Sequence, residues 1–157
     1  MDEEIKRLVD LSIHYRGVIL HDCIALENKI CINMAYYFVN SPALYKDIRE
    51  VLIDRLTFDA KIAILKEIMQ RQFPDEFGKK YDKLFSELRV IKEIRNRFAH
   101  YPVYTYFKED AKIPKEFSLI NFRDGDGKKV FSKGDFELTR KRIIKCIEIL
   151  SAVKFDK

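Results

Sequence analysis

The chain has 157 residues, of which 47% are hydrophobic and 35% charged; that supply of apolar side chains is enough for a packed core and excludes disorder over most of the length. Thirty basic against twenty-five acidic side chains leave a net charge of +5, which permits an acidic partner such as RNA or DNA without demanding one. No run of 18 apolar residues is present, so no membrane partner is expected.

The N-terminal sequence MDEEIKR is acidic and helical in character, so no signal peptide is read. Three cysteines (Cys23, Cys31 and Cys146) sit in apolar helical segments with no C-x-x-C among them. An odd number without that spacing points to a reducing, cytoplasmic setting and no disulfide framework.

From Glu3 to about Val39 only Gly17 interrupts a strong helical pattern. Apolar residues recur at Ile5, Leu8, Val9, Leu20, Cys23, Ile24, Ile30, Cys31, Met34 and Phe38, the period of one helix face. The predicted helix is about 52 Å long and needs partners along its whole length. Asn40-Ser41-Pro42 ends it, and Pro42 suits the first turn of a second helix reaching about Arg55. A third helix starts near Thr57 or Asp59, carries Ile62, Ile64, Leu65, Ile68 and Met69, and stops before Phe73-Pro74. A fourth starts near Glu76 or Lys79 and runs to His100 on the stripe Tyr81, Leu84, Phe85, Leu88, Ile91, Ile94 and Phe98. Pro102 ends it by disfavouring helical geometry at Tyr101.

Residues 103–134 change character. Phe117 to Phe122 and Lys129 to Phe131 read as two strands, with Asp124-Gly125-Asp126-Gly127 as a strong turn signal between them. Alternating Asp124 and Asp126 superficially suggest calcium, but position 135 holds Asp where an EF-hand loop needs Glu, and no helix precedes the loop. His14 and His21 lie two helical turns apart, too far to share a zinc ion unaided. No metal and no cofactor are expected. A last helix begins near Ser132 or Asp135, with Phe136, Ile143, Ile144, Ile147 and Leu150 as its apolar face and Arg140, Lys141, Arg142 and Lys145 as its basic one. The predicted fold is all-α: a single domain over 1–157, an up-and-down helical bundle with a very long first helix and a small β-hairpin at about 115–132 before the last helix.

The segment that can carry chemistry is Arg95-Asn96-Arg97-Phe98-Ala99-His100-Tyr101-Pro102. A histidine can move the proton of an RNA 2′-hydroxyl or of the leaving oxygen. An arginine fork can hold the phosphate and offset the charge that builds on it. RNA supplies its own nucleophile, so two side chains suffice without metal. Five residues separate Arg95 from His100, about 140° around an ideal helix, so the two converge only if the imidazole folds back at the helix end. Asn96 and His100, four apart, share a face, and the Asn96 amide is placed to orient the ring. A purely structural use of the same residues, with Asn96 and His100 capping carbonyls and Arg95 pairing with a carboxylate, fits the spacing too. So does a non-catalytic ligand or RNA site.

Arg95-Asn96 followed by His100, with four residues between arginine and histidine, resembles the hallmark of the HEPN domains of prokaryotes: an arginine, four to six residues, then a histidine; here the motif stands at a proline-terminated helix end. The resemblance covers the helix layout of most of the chain, while its sharp part is six residues. It implies a homodimer in which two motifs meet in one cleft, and a metal-independent endoribonuclease of toxin–antitoxin or abortive-infection type. Arg95 and His100 would be the catalytic pair and Asn96 the supporting polar residue. An antitoxin partner that modifies a tyrosine two residues beyond the histidine is known for one subgroup; this chain has Pro102 there, with Tyr101 and Tyr104 out of register. The motif is also similar to the mannitol-repressor-like branch, which implies a non-catalytic dimeric regulatory or partner-binding module.

Around that core lie further candidates. Glu27 falls on the apolar stripe of the first helix and wants a cation, with Arg95 or Arg97 as candidates and a solvated edge position as the alternative. Arg140 and Arg142 are either a solvated face or phosphate contacts. Tyr101 and Tyr104 are either packed or stacked on RNA bases, packing being the more frequent fate.

Overall fold

The computed structural model describes residues 2–108, 111–121 and 127–155. Five helices form the bundle: α1 (Asp2–Phe38), α2 (Pro42–Val51), α3 (Phe58–Gln72), α4 (Asp82–His100) and α5 (Lys133–Ser151). Two strands, β1 (Phe117–Asn121) and β2 (Gly127–Phe131), pair antiparallel with Phe117 opposite Phe131 and Asn121 opposite Gly127. The expected turn residues Asp124 and Asp126 lie outside the described residues.

Helix α1 is the spine. Its 37 residues span about 55 Å, and Gly17 does not interrupt it because a mid-helix glycine costs only about 1 kcal/mol. Leu8, Ser12, Tyr15, Ile19, Cys23, Leu26 and Ile30 are buried at spacings of three or four, the repeat that keeps residues on one helix face. Two residues read into that face are outside it: Ile24 is 66% exposed and Phe38 52%. Each sits one residue off the line that continues Leu8 through Ile30, where about 100° of rotation turns a side chain out of the core.

Thr57 caps α3, its hydroxyl accepting from the Ala60 amide at 3.2 Å. The second helix stops at Val51, earlier than its sequence suggests, and Ile53–Arg55 form one 3₁₀ turn that buries Ile53. A turn at Pro74–Glu76 and a π-helical stretch at Phe77–Tyr81 run directly into α4. That wider stretch turns both Phe77 and Tyr81 inward. Ser132 and Asp135 form a reciprocal capping box at the start of α5.

Tyr45 against Tyr36 and Arg49 against Asn28 set α2 antiparallel to α1. Lys61 against Glu27 and Asp22 against Arg140 set α3 and α5 alongside α1, and Glu87 against Arg142 sets α4 beside α5. The sheet closes one end of the bundle. Phe117 and Phe131 pack on Phe98, with ring centroids 6.4 and 4.8 Å away, and Tyr15 stacks flat on Phe136 at 4.1 Å. Pro102–Tyr104 runs beside β1: the Tyr104 amide donates to the Ser118 carbonyl, and the Ile120 amide to that of Pro102. The chain leaving α4 is thereby stitched to the sheet. Among the described residues no helix is long and apolar enough to cross a membrane.

Candidate functional site

Helix α4 remains helical through His100, and Tyr101 leaves it in extended geometry (φ −96°, ψ 128°), as a residue before proline prefers. Arg97 places positive charge in the last turn, where the helix dipole favours it. His100 is exposed, and among the described residues its imidazole has no hydrogen-bond or ion-pair partner. Arg95 is half-buried, its Nη1 donating to the Asn96 Oδ1 at 3.3 Å. It faces α1 closely enough that its charge acts on Cys23, where burial, the larger effect, pushes the thiol up to about 12.

Several sequence expectations are corrected here. Asn96 engages Arg95 rather than His100. Neither Arg95 nor Arg97 is the partner of Glu27. That carboxylate accepts from Lys61 Nζ at 2.6 Å, with the Lys61 side chain 5% exposed. Lys61 falls at the four-then-three spacing of Leu65 and Ile68, so α3 delivers its ammonium into the interface with α1. Burial pulls the Lys61 pKa down, but the Glu27 hydrogen bond and neighbouring anions outweigh it and the net shift is upward.

Arg140 donates from Nε to Asp22 Oδ2 at 2.8 Å, and the Arg142 Nε lies 3.5 Å from Glu87. Both of these basic candidates therefore face internal carboxylates. The Tyr101 ring lies beneath the Arg97 guanidinium at 5.8 Å, and Lys128 Nζ covers one face of Tyr104 at 3.3 Å. Tyr104 also meets Tyr106 and Phe107 edge-on.

Sequence reasoning missed Arg16. Its Nε donates to the Ser12 hydroxyl at 3.1 Å, its Nη1 to the Phe98 carbonyl at 2.8 Å, and its Nη2 to the Tyr101 carbonyl. A helix end leaves its last carbonyls without intrahelical donors, and this guanidinium spans the turn that carries His100. Burial lowers its pKa. The signal was available: Ser12 and Arg16 form a polar i,i+4 pair beside Leu8, Tyr15 and Ile19, on a face otherwise apolar. Asn33 was missed in the same way; its amide donates to the Leu150 carbonyl at 2.9 Å.

The arrangement therefore offers an exposed imidazole at a clamped helix end and a half-buried guanidinium about one and a half turns before it. Among the described residues no three His, Cys, Asp or Glu side chains converge as metal ligands do. No protein-family profile matches the chain, and no curated protein and no solved structure matches it either.

Proposed function

We propose that this chain is a metal-independent endoribonuclease of the HEPN type, working as a homodimer in the cytoplasm. His100 takes the proton of an RNA 2′-hydroxyl or returns one to the leaving 5′-oxygen. Arg95 binds the scissile phosphate and offsets its charge as the 2′-oxygen attacks. The products are a 2′,3′-cyclic phosphate and a 5′-hydroxyl. Asn96 orients the arginine rather than the histidine, and Arg16 positions His100 through the helix end. The strand pair is read as the small hairpin before the last helix, which braces that end. A toxin or abortive-infection role with an antitoxin partner belongs to the same proposal.

The observation that carries the reading is the exposed imidazole of His100, without a partner among the described residues, on a helix end held by Arg16. On an unbroken helix Arg95 and His100 diverge by about 140° with a rise of about 7.5 Å, so the proposal has the arginine of one subunit serve the histidine of the other. The test is cleavage of a single-stranded RNA in EDTA by the wild type, His100→Ala and Arg95→Ala, followed by mixing the two variants. Cleavage that each variant abolishes and the mixture restores supports the reading; wild-type protein that leaves RNA intact, or retained cleavage by His100→Ala, overturns it.

The divergence of Arg95 and His100 also favours a second reading, a dimeric partner-binding module without turnover. Loss of RNA cleavage together with an intact dimer would select it.

A further inference from the structure

The seam between α4 and α5 is an open groove in two stretches that share Arg142. The first, about 480 Å³, has a floor of Leu84, Cys146 and Ile149 under a rim of Lys80, Lys83, Lys141 and Lys145. The second, about 360 Å³, is lined by Val90, Ile94 and Leu138, with the cations Arg97 and Lys129 and the carboxylates Glu93 and Asp135 also in its lining. Lys83, Lys141 and Lys145 have no ion-pair partner among the described residues, whereas Lys80, Arg140 and Arg142 do. Glu87, the carboxylate in that lining, pairs with Arg142, so Lys83, Lys141 and Lys145 keep a surplus of positive charge around the apolar floor, which favours an anion between them.

Glu87 lines the same stretch; its side chain is 29% exposed and its Oε2 lies 3.5 Å from the Arg142 Nε, so this carboxylate is paired within the groove and keeps an edge open to solvent. The occupant that suits the rim carries phosphates for the lysines and O–H or N–H donors for that open edge. A polynucleotide strand has both, along with flat apolar bases for the floor.

The groove also has a direction. Glu93, Arg97 and His100 are spaced four and three apart, so they stack along one face of α4. His100, outside the lining of both stretches, lies on that same face of α4 one turn beyond Arg97. From Lys83 to Arg97 is about 21 Å of helix, enough for a site of about four nucleotides, the low end for single-strand binders.

We infer that the α4/α5 seam is a track for the backbone of single-stranded RNA, which it feeds toward His100. The inference rests on the reading of this chain as acting on RNA, but its test does not need cleavage. Binding of a fluorescein-labelled, unstructured 12-nucleotide RNA is measured by anisotropy between 50 and 200 mM salt, on the full chain carrying His100→Ala. The triple variant Lys83→Gln/Lys141→Gln/Lys145→Gln is added to it, and a control removes three exposed cations outside the groove (Lys46→Gln/Arg55→Gln/Lys112→Gln). Circular dichroism verifies that both are folded.

The groove variant is expected to bind at least tenfold more weakly, and the slope of log affinity against log salt to become shallower by about two. The control is expected to change by less than threefold. Equal losses in the two variants, an unchanged groove variant, or tighter binding of polyglutamate than of RNA would overturn the track. Cleavage of a dinucleotide by the wild-type chain, too short to reach the lysines, separates the two claims. If it is cut while the groove variant binds RNA normally, the track fails and the nuclease reading stands. If nothing is cut but the groove variant loses RNA, the track stands and the nuclease reading fails.

Discussion

Arg16 Nη1 donates to the Phe98 carbonyl across 2.8 Å, joining the middle of the first helix to the last turn of the fourth. With its second bond to Tyr101, the guanidinium fixes the backbone on both sides of His100. Hydrogen bonds from charged donors are worth about 1.5–3 kcal/mol each. Arg16→Ala is therefore expected to cost about 3 kcal/mol, read as a fall in Tm of about 6–12 °C for a chain of this size. Arg16→Lys, with one point charge for a fork, should recover less than half of that. Thermal unfolding of the two variants checks it.

The Glu27–Lys61 pair should respond asymmetrically. Lys61 is almost wholly buried while Glu27 is 26% exposed, so an abandoned carboxylate can rehydrate and an abandoned ammonium cannot. Breaking a buried pair from one side costs about 3–5 kcal/mol. Glu27→Gln is expected at that level and Lys61→Met well below it, by urea unfolding of each. An equal loss would mean that the ammonium also reaches water.

Asp135 has its pKa lowered, first by the Ser132 backbone amide and then by the Ser132 hydroxyl. A carboxylate depressed on folding adds stability that is present above its unfolded value, near 3.8, and lost as pH falls through the lower folded value. The wild type should thus lose stability below pH 4 faster than Asp135→Asn, whose cap does not titrate. Ser132→Ala should cost about 1 kcal/mol at neutral pH.

Burial holds the thiols of Cys23 and Cys146 up at about 12. All three cysteines are free and buried. Thiols raised on folding contribute stability below their unfolded value, near 9, which is lost as pH climbs toward 12. The native protein should resist iodoacetamide at pH 8 and label at all three positions once unfolded, as read by mass spectrometry. Fast labelling of the native protein would show an opening between α1 and its neighbours.

The positions of the helices were legible because each carries its own punctuation. Ser41-Pro42, Thr57, Ser132 with Asp135 and Pro102 act through local backbone chemistry that needs no tertiary context. The apolar stripe of α4 was legible too, since Leu84, Phe85, Leu88, Ile91 and Phe98 all bury. Pairings across helices were not. Nothing local distinguishes Lys61 from Arg95 as the partner of Glu27; the choice depends on which helix lies beside the carboxylate. Ile24 and Ile144 show a further limit: apolar identity alone does not say which side of a helix faces in, and both are exposed. The seam groove was invisible because it is made by two segments fifty residues apart.

Asn33 caps the end of α5 through Leu150, as Arg16 caps the end of α4. One helix thus carries the stoppers for two others. Fraying of α5 or of the His100 turn then requires α1 to move, and amide exchange in both places should share the slow rate of the α1 core instead of the faster rate usual at helix tips.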